Sequence, residues 1–123
     1  MTALGIALGG GLGALARYHV EGLIAPRQRS PFPLSTLVVN VIGSLALGLL
    51  VGLATAGRVP MSWQAWAGTG FLGAFTTFST FTYETVRLIE DGSWRWVWWN
   101  LALSGPLSFT AAGLGWWAAG GVG

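Results

Sequence analysis

Gly68-Thr69-Gly70-Phe71-Leu72-Gly73-Ala74-Phe75-Thr76-Thr77-Phe78-Ser79-Thr80-Phe81-Thr82-Tyr83-Glu84 is the stretch whose reading decides the fold. No charge stands between Arg58 and Glu84, a gap long enough to cross a bilayer. Within it, three glycines precede five hydroxyl residues packed into seven positions. Glycine and threonine have low helix propensity, and the hydroxyls compete for backbone hydrogen bonds, so the stretch predicts a helix broken near its middle, at about 73–76. Carbonyls freed inside a membrane need a cation, water or another chain, and the break therefore points to an ion site at the midplane.

The rest of the chain agrees with a location in lipid. Of its 123 residues, 53% are hydrophobic and 8% charged, and the mean hydropathy is +0.62. A water-soluble domain carries about 25% charged residues, far more than this surface could supply. Charge is absent from the first sixteen residues, between Arg29 and Arg58, and after Arg95. The expectation is an all-α membrane protein of one integral-membrane domain, 1–123, with four transmembrane helices at about 3–24, 34–56, 63–89 and 93–119. Prolines at 26, 31 and 33 close the first span, and Arg27 and Arg29 can sit there among headgroups. Trp94, Trp96, Trp98 and Trp99, with Trp116 and Trp117, read as aromatic belts at the two ends of the fourth. Arg17 follows the first apolar stretch instead of preceding it, which reads as a retained helix and not a signal peptide.

The composition excludes other classes. A pI near 10.0 comes from six arginines against four acids, too few for a basic stripe, so nucleic acid is set aside. With no cysteine there is no disulfide or thiolate chemistry. The single histidine, His19, has no evident partner for metal or nucleophilic work, and the chain reads as not an enzyme. Arg27, Arg29 and Arg95 face one side and Arg58 the other, which leans toward an outward N-terminus.

Inside the spans, small and polar residues fall every fourth position. Gly5, Gly9, Gly13, Arg17 and Glu21 share one face of the first helix. Arg17 there reads either as a snorkelling anchor or as a pore-mouth charge. Thr36, Asn40, Ser44, Gly48 and Gly52 line the second helix, and Asn40 lies deep enough that its amide needs a partner. Asn100, Ser104 and Ser108 line the fourth, and a serine beside Pro106 could satisfy the carbonyl that proline frees. The two glycine seams are close-packing faces, and a chain this small can hardly enclose a filter, so the seams predict a dimer. Phe78 and Phe81 lie one turn apart among Ser79, Thr80 and Thr82, an interleaving that suggests a pathway more than a packed core.

These strings carry a resemblance. The third-helix run 68–81, Leu37-Val38-Val39-Asn40-Val41-Ile42-Gly43-Ser44 and Gly9-Gly10-Gly11-Leu12-Gly13-Ala14-Leu15-Ala16-Arg17-Tyr18 together resemble the Fluc fluoride channel family, once called camphor-resistance proteins. The resemblance covers the whole chain in order. It implies a fluoride-selective passive channel exporting fluoride across the cell (inner) membrane, as a multi-pass, dual-topology antiparallel homodimer enclosing two pores. It also implies a structural sodium ion held by backbone carbonyls of Gly73 and Thr76, pore phenylalanines at Phe78 and Phe81, hydroxyl donors at Ser79 and Thr80, and an amide at Asn40. Thr36 and Glu84 fall toward the wider ends of the pore. The chain departs from the family pattern at Asn100, where many members carry tyrosine four residues before the serine that is here Ser104.

Chemistry supports such a pathway. Fluoride is small and strongly hydrated, so its water must be replaced by donors at close range. Neutral hydroxyls and an amide do this, and phenylalanine ring edges carry the partial positive charge that lets them face an anion. Two other readings stand beside it: a four-span proton-coupled exporter of organic cations, and a non-transporting packing subunit. The exporter needs a deep carboxylate, and Glu21 lies near a helix end. The subunit gives no reason for a polar broken helix.

Overall fold

The computed structural model describes residues 2–27, 31–76 and 78–120, with the side chains of residues 61, 78 and 79 outside the description. All regular structure among these residues is helical: α1 (Thr2–Ile24), a 3-10 turn (Ala25–Arg27), α2 (Leu34–Thr55), α3 (Met61–Trp63), a π-wound segment (Gln64–Leu72), α4 (Gly73–Phe75), α5 (Phe78–Glu90) and α6 (Trp94–Ala118). They form four helical stretches, the third of which is made of several pieces. At 1.5 Å per residue, the 22 residues of α2 extend about 33 Å, close to the hydrocarbon thickness of a bilayer. Among the described residues α2 is the one helix that is long and apolar enough by itself to cross a membrane. The others dilute their hydropathy, α1 with Arg17, His19 and Glu21, and α6 with tryptophans and glycines.

Sharp glycine turns join the later elements. Gly57 (φ 74) and Gly92 (φ 73) adopt the left-handed conformation that a side chain would oppose. Each ends its helix with the same paired bonds: Gly57 N–H to Ala54 O with Arg58 N–H to Leu53 O, and Gly92 N–H to Ile89 O with Ser93 N–H to Leu88 O. On the α1–α2 connection, Phe32 is buried and its ring lies 6.2 Å from that of Trp96. This contact fastens the connection to the first turn of α6.

Packing pairs alternate stretches: α2 lies against α6, and α1 against the π segment. Both pairs meet backbone to backbone through glycine. A Cβ placed on Gly48 would lie 2.0 Å from the Ala112 carbonyl oxygen, and one on Gly115 would lie 2.3 Å from that of Leu45. In the other pair, a Cβ on Gly13 would lie 2.0 Å from the Phe71 oxygen and one on Gly70 2.7 Å from that of Ile6. This corrects the expectation drawn from the seams. Gly5, Gly9 and Gly13 are taken by Trp66 to Phe71, and Gly48 and Gly52 by Ala112 to Ala119 of the same chain, so neither seam is available to a second copy. Exposed instead are Leu4, Leu8, Leu12 and Leu15 of α1, together with Trp94, Trp98, Trp99 and Trp117 of α6.

The third stretch departs from α-helix earlier than its composition suggests. Its winding is already π over Gln64–Leu72, where Gly68 and Gly70 are buried. At Thr76 the backbone turns extended, with φ −77 and ψ 155. The Thr76 N–H and Oγ1 both donate to the Leu72 carbonyl, each at 2.9 Å. A Cβ on Gly43 would lie 2.3 Å from Thr76 Cγ2, so the bare backbone of α2 is what lets Thr76 seat there.

Gly48→Ala is expected to push α2 off α6 and destabilise the protein by about 1–3 kcal/mol. Gly11→Ala, which has open space around it, should be neutral or stabilising by up to about 1 kcal/mol. Thermal unfolding of the two variants in detergent checks the contrast, and equal melting temperatures would contradict the close approach.

Candidate functional site

Because α2 and α6 approach so closely, the polar faces of both are brought to one place. Between them, Thr76 and α5 lies a groove of about 580 Å³, walled by Asn40 and Ser44 of α2, Thr76, Phe81 of α5, and Ser104 and Ser108 of α6. The every-fourth lines of the sequence thus face each other across one space. Leu47, Leu101 and Phe109 complete an otherwise apolar wall, so the polar groups are few and concentrated, as a site that orients a small ligand requires.

One turn beyond the groove, both lines are bonded to α5. Thr36, buried, donates from Oγ1 to Oε1 of the half-buried Glu84. The neighbouring Thr85 receives a hydrogen bond of 3.0 Å from Nδ2 of Asn100. Successive residues of α5 therefore hold α2 on one side and α6 on the other. Apolar packing contributes little here: of the described α5 side chains only Leu88 is buried. Two further bonds continue the α6 side, Ser104 Oγ to Asn100 Oδ1 at 2.9 Å and Thr85 Oγ1 to the Phe81 carbonyl at 2.8 Å.

Of the residues singled out in the sequence, Asn40, Thr76, Phe81 and Ser104 meet at the groove, while Thr36, Glu84 and Asn100 brace it. Thr80 is half-buried on α5, and Gly73 is exposed on α4. Phe78 and Ser79 occupy the first turn of α5, and their side chains lie outside the described residues, as does Arg29. Arg17 is half-buried on α1 and is not a groove residue. Ser104 does not serve a carbonyl freed by Pro106, because its hydrogen goes to Asn100 while α6 runs unbroken through the proline. Thr85 was not anticipated. Its signal is its spacing of four from Phe81, which puts both on one face of α5.

A groove of hydroxyls, an amide and a phenylalanine, with no arginine among its lining residues, offers neutral polar groups to a small ion. Comparison with known proteins gives this arrangement a lineage. The model of the family described as "CrcB-like protein, Camphor Resistance (CrcB)" matches residues 4–116. The chain belongs to this family. Among curated relatives, it is similar to the fluoride-specific ion channel FluC 1 of Leifsonia xyli, 43% identical over 98% of this chain and 88% of that one. It is also similar to the fluoride-specific ion channel FluC of Syntrophotalea carbinolica, 49% identical over 89% of this chain and 90% of the relative. The protein of that name from Pyrococcus abyssi is 43% identical over 93% and 92% of the two chains.

Thr36→Val keeps the shape of the side chain but leaves the Glu84 carboxylate without that donor. It should cost about 1–3 kcal/mol, whereas Thr36→Ser should hold near wild type. Melting temperatures of both variants check the bond, and a Val variant as stable as the Ser variant would contradict it.

Proposed function

We propose that the chain is a fluoride-selective channel that carries the ion passively out of the cytoplasm through the cell (inner) membrane. The observation that carries this reading is the groove, where the neutral polar side chains of Asn40, Thr76 and Ser104 converge beside Phe81. Neutral donors replace the hydration of an anion without holding it too tightly to leave. The names of the relatives, fluoride-specific ion channels over nearly the full length of both chains, support the same ion. On this reading Phe78, Ser79, Thr80 and Phe81 form the pathway with Asn40, and Thr36 and Glu84 flank one end of it. A proton-coupled exporter would need a carboxylate free to exchange, and Glu84 accepts the Thr36 hydrogen.

The working unit in this proposal is an antiparallel homodimer in the lipid bilayer. The groove of one chain is open at its side, and Gly73 and the α1 leucines are exposed, so a second copy has both a reason and a surface. A structural sodium ion would be held by carbonyls of Gly73 and Thr76, and its positive charge would join the two copies. The donor set fits a hard cation: carbonyl oxygens are hard ligands, and the backbone leaves the helix at Thr76.

Liposomes loaded with fluoride or chloride test the function. The purified protein should release fluoride far faster than empty liposomes and chloride hardly at all, while Phe78→Ile and Phe81→Ile keep most of the side-chain volume but remove the aromatic ring and cut fluoride release severely. Equal release of both anions, or no release above background, would overturn the reading.

A tag at the C-terminus should be reachable from both sides of the cell membrane. Labelling from one side alone would reject the antiparallel arrangement.

A further inference from the structure

The bonds behind the groove form one directed relay, and its direction is fixed from the end. The Phe81 carbonyl can only accept, so Thr85 Oγ1 gives it a hydrogen. Having donated, Thr85 presents a lone pair to Asn100, which must turn Nδ2 toward it. The other end of the amide, Oδ1, is then left facing Ser104 and takes the Ser104 hydrogen. A serine hydroxyl has one hydrogen. Ser104, a lining residue of the groove, therefore faces that space as an acceptor, the wrong polarity for an anion.

The relay has a second arrangement with the same atoms. If the Asn100 amide rotates by half a turn, Nδ2 donates to Ser104 Oγ, and Oδ1 accepts the Thr85 hydrogen. The Ser104 hydrogen is then free to point into the groove, and the bond it receives from Asn100 strengthens it as a donor. Only the Thr85 bond to the Phe81 carbonyl is given up. Asn100 is 1% exposed and Ser104 7%, so water does not readily substitute for either partner.

We propose that Asn100 is a positioning residue that reverses this relay, turning Ser104 from acceptor to donor when an anion enters the groove, with Thr85 as the terminus that takes up the reversed bond. The inference rests on the fluoride reading. It assigns a role to a residue at which the chain departs from the tyrosine of many family members, and to Thr85.

Fluoride release from liposomes by wild type, Asn100→Asp, Ser104→Ala, the double variant and Thr85→Val tests it, with each variant first shown to purify as the same oligomer as wild type. Asn100→Asp offers acceptors only and keeps the Ser104 hydrogen turned away from the groove, so it should slow release about tenfold, the scale of one hydrogen bond to a charged group. The double variant should be no slower than Ser104→Ala alone, because Asn100 acts only through that hydroxyl. Thr85→Val should stay within about threefold of wild type, since the amide can still turn Nδ2 to Ser104. Multiplying losses in the double variant, or a loss in Thr85→Val equal to that in Asn100→Asp, would reduce the relay to structural glue between α5 and α6 and overturn the proposal. A wild type that releases no fluoride would instead overturn the functional reading on which it stands.

Discussion

Contact between bare backbones organises this protein. Where Gly48 meets Ala112 and Gly13 meets Phe71, the helices approach to a distance that no side chain allows. Such an approach gains dispersion contacts along the whole seam, which matters in lipid because burying apolar surface there supplies no driving force. Everything at the groove depends on it. Asn40 and Ser44 lie on the same helix as Gly48, and Ser104 and Ser108 on the same helix as Ala112, so the seam sets the separation and the register of the polar residues one and two turns away.

The third stretch answers to a different requirement. Its Gly70 meets the backbone of α1 at one end, while Thr76 and Phe81 line the groove at the other. One regular α-helix would not satisfy both. The π winding and the extended Thr76 divide the stretch, so that α5 can be held by polar bonds to α2 and α6 while the π segment is held by close packing. Among the described α5 side chains only Leu88 is buried, and a segment with so little buried side chain is easier to rearrange than one fastened by interdigitated backbones.

Much of this was legible in the residues. Charge-free runs gave the four helical stretches, and the period of four identified the lines that face the groove, because a helix repeats its faces whatever its partner. Partner choice was not legible. A glycine seam looks the same facing another helix of its own chain or a second copy, and here both seams proved internal. Nor was the direction of hydrogen bonding visible at Asn100 and Ser104. An amide and a hydroxyl can each give or receive, and what settles the matter is the Phe81 carbonyl, brought there through Thr85 by folding. The winding of Gln64–Leu72 was not legible either: Gly70 within it rests against the backbone of α1, a contact that only folding makes.

Pairing of alternate stretches has a consequence for how the chain comes to be assembled. The partner of α2 is synthesised only after α3, α4 and α5, so the Gly48 seam waits, inserted but unmatched, until Ala112 and Gly115 arrive. Helices in a membrane become stable spans before they find one another, and this topology lengthens the interval between the two events for α2 in particular. A chain interrupted after α5 would keep its first seam closed and its second open, with Asn40 and Ser44 facing lipid in place of Ser104 and Ser108. Quality control in the membrane would then meet a fragment marked by exposed polar groups on an otherwise acceptable span.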